Sequence, residues 1–505
     1  MNNLAQTAVT SNTFKNISLS LDVSLTRLAA LRVTILHEMP GSPGYHAKGL
    51  SKSSQQRHAR SGSVARPRIW DPRARASSDV SGAVRATVPQ LNLPQARRTA
   101  VDEYSLHKQV KRTRSELARI ASAACAQSTD TGKTPLLLYE RWLARASLAA
   151  DGLAAPLLPN LDAEGGLAKD LVRHGASADA GARAASEAVS KSREAASRWR
   201  SRRDSKDADV DAVDIDVRES GAFMILQLGT FKPYVKVTKV HLGKLRALYC
   251  RATRRGKPLP DDVHSSEYKT FAYAVFALLM RYESLGGAGY QAALGEDAFD
   301  ALHEKLGVSV ECFASPLNCR YGTFCSQFKD VDAHFGSLGS FFDPRFAPTE
   351  GSFEMNPPFV PETMSLAVEK LENLLTRAEG EDKALSFVVI VPAWSDCQYW
   401  RALERSTFLQ YECDIVKAED HGFCDGSQHS RPSHERYRVS SYDTGVWYLQ
   451  TSKAAKKWVV SEDFRRLVCE KMKNALGSAK NVKELEKRYR PTTDASTHPS
   501  KRTKL

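Results

Sequence analysis

Nine cysteines are scattered through 505 residues without one Cys-x-x-Cys pair. That excludes the dense disulfide framework of a small secreted domain and the commonest zinc spacing, and several of the cysteines sit in apolar runs suited to buried thiols in a reducing compartment. Cys312, Cys319 and Cys325 are close together but lack histidines at matching spacing, so no metal site is expected. No apolar run reaches the roughly 18 residues a membrane span needs, and the longest, around Phe271 to Met280, has the length of a core helix. A soluble protein without membrane contact is the expectation. Acidic residues are outnumbered: 72 Lys and Arg stand against 58 Asp and Glu, for a net charge of +14 and a pI near 9.3. Such an excess suits a polyanion, with nucleic acid the leading candidate.

Large apolar residues are also scarce from Met1 to about Val88, where Ser, Arg, Gly and Pro dominate. Residues 1–88 therefore read as a disordered basic arm with one distinctive island, Arg66 to Arg73. Its first part, to about Arg32, lacks the arginine-rich amphipathic pattern of a transit peptide. Residues 89–305 show mainly helical spacing, as in Tyr104, Val110 and Leu117, and form a candidate RNA-binding part. Within it, residues 165–216 hold few bulky side chains besides Trp199 and read as a solvated helix or flexible insertion. Ala222 to Leu228 and Tyr234 to Val240 read as strands. Helices are expected at about His241 to Thr253, Ser266 to Leu285 and Glu296 to Leu306, with Gly307 in the left-handed position that ends the last.

From 306 to 480 the pattern becomes strand, helix, strand. Val308–Ala314, Phe353–Met355 and Leu385–Val391 read as buried strands, with a helix over about Glu362 to Arg377, a late strand at Val446 to Gln450 and a last helix from Ser461. Near-continuous apolar strands separated by a helix predict an α/β fold with a parallel sheet covered on both faces, whose ligands sit beyond the strand ends. Residues 481–505 form a basic tail. It carries Lys501-Arg502-Thr503-Lys504, which resembles a nuclear signal, while Thr503-Lys504-Leu505 weakly resembles a peroxisomal ending.

The strand at Phe353 stops in Asn356-Pro357-Pro358-Phe359. Two prolines remove two backbone donors and fix two φ angles, leaving the carbonyls of Asn356 and Pro357 pointing outward. An aromatic amine held between the Asn356 side chain and a proline carbonyl would donate both hydrogens and turn its lone pair toward an electrophile, with Phe359 stacked on the ring. Asn-Pro-Pro-aromatic at a strand end resembles the signature of class I methyltransferases acting on conjugated amines. Such an enzyme would hold S-adenosyl-L-methionine at the end of the first sheet strand, where Glu311, Phe313, Ala314, Ser315, Pro316, Leu317 and Asn318 lie, with Asp330 or Asp332 for the ribose.

Three blocks carry a closer resemblance: Glu311 to Cys319, then Asp330-x-Asp332-x-x-Phe335-Gly336, then Gly351 to Phe359. Together with Ile390-x-Pro392-x-Trp394, Gly426-Ser427-Gln428-His429 and Asp443-Thr444-Gly445-Val446, they resemble the cap-specific adenosine N6-methyltransferase family, also called phosphorylated CTD-interacting factor. The resemblance runs from about Phe231 to Gln450. It implies a helical domain joined to a Rossmann-like class I methyltransferase domain, with capped RNA between them. The implied reaction is methylation of N6 of the adenosine beside the cap, usually one already 2′-O-methylated. It implies catalytic roles for Asn356, Pro357, Pro358 and Phe359, and places Trp394, His421, Phe423, Gln428 and His429 beside the pocket. Lys232, Lys236, Lys239 and Lys244 are candidate phosphate contacts. The arm offers only Trp70 where an N-terminal WW domain needs two tryptophans. The chain is accordingly expected to lack that domain, which places binding to the RNA polymerase II tail in doubt. A monomer acting in the nucleus completes the expectation. An internal RNA or DNA adenine methyltransferase, a protein glutamine methyltransferase and a catalytically silent RNA-binding scaffold stay open as alternatives.

Overall fold

The structure is a computed structural model that describes residues 88, 91–125, 134–149, 151–204, 210, 212–286, 291–432 and 435–476. The basic arm before residue 88, the island at Arg66 to Arg73 and the tail with Lys501 to Lys504 lie outside the described residues.

Helix α1 (Leu93–Ala124) starts at a capping box: the Asn92 side chain accepts from the Gln95 amide at 2.9 Å and the Gln95 side chain accepts from the Asn92 amide at 3.3 Å. Helix α2 (Thr134–Leu148) leads to the short pair β1 (Leu153–Ala155) and β2 (Leu158–Pro159), then to α3 (Gly166–Arg173) and α4 (Ala178–Asp204). Of the two alternatives for 165–216, a solvated helix or a flexible insertion, the structure shows helix, but packed rather than solvated. Ala184, Ala185, Ala188, Ala195 and Ala196 form a flat buried stripe that seats α4 on α1. Trp199 closes it by donating Nε1–H to the Asp102 carbonyl at 3.0 Å. Alanine contributes little transfer energy per residue but lets backbones approach closely, so the stripe packs without bulky side chains.

Strands β3 (Ile215–Ser220), β4 (Phe223–Leu228) and β5 (Val235–Thr238) form an antiparallel meander. Next come α5 (Lys239–Thr253), α6 (Ser266–Leu285) and α7 (Glu296–Leu306). Helix α6 is buried almost all round, from Tyr268 to Tyr282, as its continuous apolar composition requires. Among the described residues no helix is long and apolar enough to cross a membrane. Gly307 ends α7 at φ 64°, the left-handed cap expected of it.

The larger sheet holds β6 (Val310–Glu311), β7 (Gly351–Met355), β8 (Leu385–Pro392), β9 (Asp414–Val416) and, after the hairpin β10 (Gly422–Cys424) and β11 (Tyr437–Val439), β12 (Thr444–Gln450). Its order is β6-β7-β8-β12-β9. Single parallel bridges from Glu311 to Phe324 and from Phe324 to Ser337 extend it past β6. Strands β6, β7 and β8 are parallel, but β12 is antiparallel to both of its neighbours. The sheet is therefore mixed, which corrects the all-parallel expectation. Parallel neighbours need a long crossover, whereas the β10–β11 hairpin between β9 and β12 brings the chain back the other way. Phe387, Val389 and Val391 of β8 face a core with α8 (Pro361–Gly380) and α9 (Gln398–Glu404), while Val388 and Ile390 face α7 and α10 (Glu462–Asn474). Both faces are covered. The helical layer's own core takes in Leu317, Phe324, Phe328 and Phe335, so the two layers meet beside the ends of β6 and β7.

Candidate active site

A cavity of about 550 Å³ opens where those strands end. From the sheet side it is lined by Phe313, Ala314, Ser315 and Asn318 after β6, by Asn356 and Pro358 after β7, and by Phe341 and Phe342. The turn after β6 is held by Asn318, whose Oδ1 accepts from the Ser315 amide at 2.7 Å and hydroxyl at 2.9 Å and whose Nδ2 donates to the Gln291 carbonyl at 2.8 Å. Phe313 lies 5.1 Å and 5.7 Å from the rings of Phe341 and Phe342, forming an aromatic wall. Asn356 is 8% exposed, and its Nδ2 faces the Ala292 carbonyl at 3.4 Å. That contact occupies the amide nitrogen, and no donor to Oδ1 occurs among the described residues. The Pro358 carbonyl accepts from the Val360 amide at 2.6 Å, and no donor meets the Pro357 carbonyl among the described residues.

The opposite wall comes from the helical layer: Glu140, Leu143, Ala144 and Ser147 of α2, Leu153 and Ala155 of β1, and Arg281 and Tyr282 of α6. Arg281 is buried in a double ion pair, with Glu103 of α1 at 2.5 Å and Asp330 at 2.7 Å. Tyr282 donates its hydroxyl to Asp332 at 2.7 Å, and burial pushes the Asp332 carboxyl up to about 7. Arg145 joins the layers beside the corner, reaching Asp170 of α3 at 2.6 Å and Glu362 in the first turn of α8 at 3.1 Å.

Of the residues expected at the site, Phe313, Ala314, Ser315, Asn318, Asp330, Asn356 and Pro358 line the cavity. The others do not, and each has a physical reason. Glu311 points into the core, where its Oε1 accepts from the Arg320 and Tyr321 amides at 2.8 Å each; burial pushes its carboxyl up to about 7. It anchors a loop rather than a cofactor. Leu317 packs into the helical core, Pro316 is buried, and Asp332 is fully buried against Tyr282, leaving Asp330 as the acid that lines the cavity. Pro357 is buried, and the Phe359 ring meets Phe423 edge-on at 5.9 Å instead of standing over the cavity. Trp394 packs against Tyr442, with ring centres 5.1 Å apart.

His421 is a satisfied core histidine, bonded to the Lys417 carbonyl at 2.6 Å and the Thr444 hydroxyl at 2.9 Å, and burial lowers its pKa. Gln428 and His429 are buried in the same region, and His429 is pushed down to about 4 by desolvation. Lys244 is buried too and donates to the Leu317 and Cys319 carbonyls at 3.2 and 2.7 Å, which removes it from the phosphate candidates. Lys232, Lys236 and Lys239 are exposed. Glu140, Arg281, Tyr282, Phe341 and Phe342 were not picked out by their spacing. Phe341-Phe342 followed by Asp343-Pro344 is the one local signal, an aromatic pair at a turn.

Residues 244–426 match the family described as "Phosphorylated CTD interacting factor 1 WW domain". Over this stretch the chain is similar to that family. It is 37% identical over 232 residues to the Homo sapiens "mRNA (2'-O-methyladenosine-N(6)-)-methyltransferase" and 36% identical over 232 residues to the Mus musculus protein of the same name. In both cases the alignment covers 44% of this chain and 31% of the relative, so the chain spans about a third of these proteins' length. The match corrects the expectation that a WW domain is missing. The expectation rested on the N-terminal arm, whereas the matched stretch lies downstream of it at residues 244–426. The doubt about the polymerase tail, which rested on that absence, loses its ground.

Proposed function

We propose that this chain is an S-adenosyl-L-methionine-dependent methyltransferase of the class I, Rossmann-like type, acting on N6 of the adenosine next to the cap of capped RNA. The observation that carries the reading is Asn356 at the end of β7, its amide nitrogen turned to the Ala292 carbonyl and its residue lining a cavity shared with the turn after β6. The strand order, extended by the Phe324 and Ser337 bridges and with an antiparallel β12 between β8 and the edge strand β9, supports the class I assignment. The names of the two mammalian relatives support the substrate. Net charge of +14 favours a polyanionic partner, and the family's description makes the phosphorylated polymerase tail a further candidate partner. Action in the nucleus fits that chemistry.

The cavity's residues fit an adenosyl amino acid. Phe313, Phe341 and Phe342 would pack its adenine, Asp330 would take the ribose hydroxyls, and the Ser315–Asn318 turn would hold the methionyl end. When bound, this cofactor supplies an electrophilic methyl group. The chain's own residues do the rest. The Asn356 side-chain carbonyl and the Pro357 carbonyl, which no described donor meets although the residue is buried, would accept the two hydrogens of the exocyclic amine and draw its lone pair out of conjugation with the ring. The same acceptors stabilise positive charge developing on nitrogen, and being fixed before substrate arrives they need no reorganisation. No general base is needed, because the proton on the product nitrogen is acidic and leaves to water. Leu143, Ala144 and Leu153 give the opposite wall apolar surface. A cap-adjacent nucleotide is single-stranded, so reaching it requires no duplex opening.

The test is mass spectrometry of the 5′-terminal nucleotide after incubating the full chain with capped RNA beginning in adenosine and S-adenosyl-L-methionine. One added methyl on the adenine, absent with uncapped RNA of the same sequence, is expected. Equal methylation of uncapped RNA would move the reading to an internal adenine methyltransferase. No product despite cofactor binding would leave an RNA-binding scaffold.

A further inference from the structure

The charges around the cavity do not cancel. Its lining contains three formally charged side chains: Glu140, Arg281 and Asp330. Arg281 and Asp330 are paired with each other, and Arg281 is paired again with Glu103 behind it. The two lining thiols, Cys312 and Cys325, are held neutral because burial raises both. Glu140 is the remaining formally charged side chain; burial pushes its carboxyl up to about 7, and it makes no hydrogen bond or ion pair among the described residues. Arg114 is the cation that acts on it, yet that guanidinium donates to the Leu285 carbonyl and lies 4.9 Å from the Tyr139 ring. Leu143, Ala144 and Leu153 line the same wall of the cavity with apolar surface. A half-buried carboxylate on an apolar wall is held at a desolvation cost that a bound cation would offset.

We propose that Glu140 is the subsite for the α-amino group of the methyl donor, supplied by the helical layer from outside the stretch that matches the known family. The inference rests on the methyltransferase reading above and names the part of the donor that the sheet side leaves without a counter-charge. Helix α2 is clamped beside the corner by Arg145 on Glu362, and the Arg114 neighbour of Glu140 is clamped on Leu285. Glu140 thus lines the same cavity as Gln291, whose carbonyl holds Asn318 and the turn after β6. The donor carries two cationic groups, a sulfonium and an ammonium. A carboxylate against the sulfonium would stabilise the charge that methyl transfer removes and so slow the reaction, whereas the ammonium keeps its charge throughout. The ammonium is therefore the productive partner.

The test is calorimetry on the full chain and its Glu140→Gln variant with two ligands. S-adenosylhomocysteine keeps the ammonium and lacks the sulfonium; 5′-methylthioadenosine lacks the amino-acid arm altogether. Expected is a loss of roughly 10- to 100-fold in S-adenosylhomocysteine affinity, the range of a charge-assisted hydrogen bond, with methylthioadenosine affinity within about 2-fold of the unaltered chain. Unchanged affinity for S-adenosylhomocysteine would overturn the assignment. So would equal weakening of both ligands, since that would make Glu140 a structural residue. If the unaltered chain binds neither ligand, the methyltransferase reading itself fails and takes this subsite with it. Glu140→Asp, which keeps the charge on a shorter arm, should recover part of the lost affinity.

Discussion

Replacing Arg145 with methionine separates the work of the helical layer from that of the sheet. Arg145 connects three elements: α2, which carries it, α3 through Asp170 at 2.6 Å, and the first turn of α8 through Glu362 at 3.1 Å. Helix α8 begins immediately after Asn356–Phe359, and Thr363 in its first turn lines the cavity. Removing one partner of a fully buried ion pair costs about 3–5 kcal/mol. Here the loss is smaller. Asp170 is fully buried but keeps Arg173 at 2.9 Å and Arg141 at 3.7 Å, and the Glu362 side chain is 25% exposed, so water takes over part of its solvation. The methionine also retains the apolar stem. An expected destabilisation of about 2 kcal/mol leaves the protein folded at low temperature and is read by urea denaturation. The functional effect should be larger. A misplacement of about 1 Å at the reacting groups can cost about 100-fold, so the single-turnover rate should fall by roughly 10- to 100-fold, with S-adenosylhomocysteine affinity weakened as well because α2 carries Glu140. A double-mutant cycle with Glu362→Gln then isolates the coupling across the clamp. A full single-turnover rate in folded Arg145→Met would refute the view that the helical layer positions the corner.

Asn356→Ala should lower turnover by roughly 100- to 1000-fold while S-adenosylhomocysteine binding survives, and comparable turnover in that variant would sink the acceptor mechanism. Trp199→Ala removes a buried side chain and its bond to Asp102, so it should cost about 3–5 kcal/mol in denaturant unfolding; a loss below about 1 kcal/mol would mean α4 is not part of the core. The pH dependence of stability follows from Glu311, whose folded carboxyl is raised from 4.5 to about 7, chiefly by burial. Below about pH 4.5 both states hold the proton and the contribution is fully present; between about 4.5 and 7 only the folded state does, so stability falls as pH rises and levels off above about 7. Asp332, also raised to about 7, adds to the same slope. Glu311→Gln should remove up to about 3 kcal/mol of this slope between pH 5 and 8, and an identical slope in variant and parent would refute the assignment.

What was legible in the sequence is what a short window can encode. Helix α6, strand β8 and the Gly307 cap could be read because burial on all sides, burial on both faces and a left-handed φ each leave a local mark. The Asn356 corner was legible for the same reason: two prolines constrain the backbone wherever they fall. Side-chain direction at the strand ends was not. Glu311 and Asn318 flank one turn, yet the first is turned inward to hold the Arg320 and Tyr321 amides and the second shapes the cavity. Which acid of the pair Asp330 and Asp332 reaches the surface is decided by Arg281 and Tyr282, about fifty residues upstream. His421 and Trp394 looked like ligands because a polar or aromatic residue after a strand has two uses, and only the neighbours Thr444 and Tyr442 decide between them. The alanine stripe of α4 evaded a reading tuned to bulky residues, although it is the surface that seats α4 on α1. Glu140 shows the same limit most clearly. A carboxylate on an ordinary helix becomes a candidate ligand only when its helix closes over strands more than a hundred and fifty residues away, so its meaning lies in the juxtaposition of α2 with the turn after β6. A composite wall of this kind places recognition of the donor under the control of helix packing, and mutations that loosen α2 should weaken donor binding before they disturb the sheet.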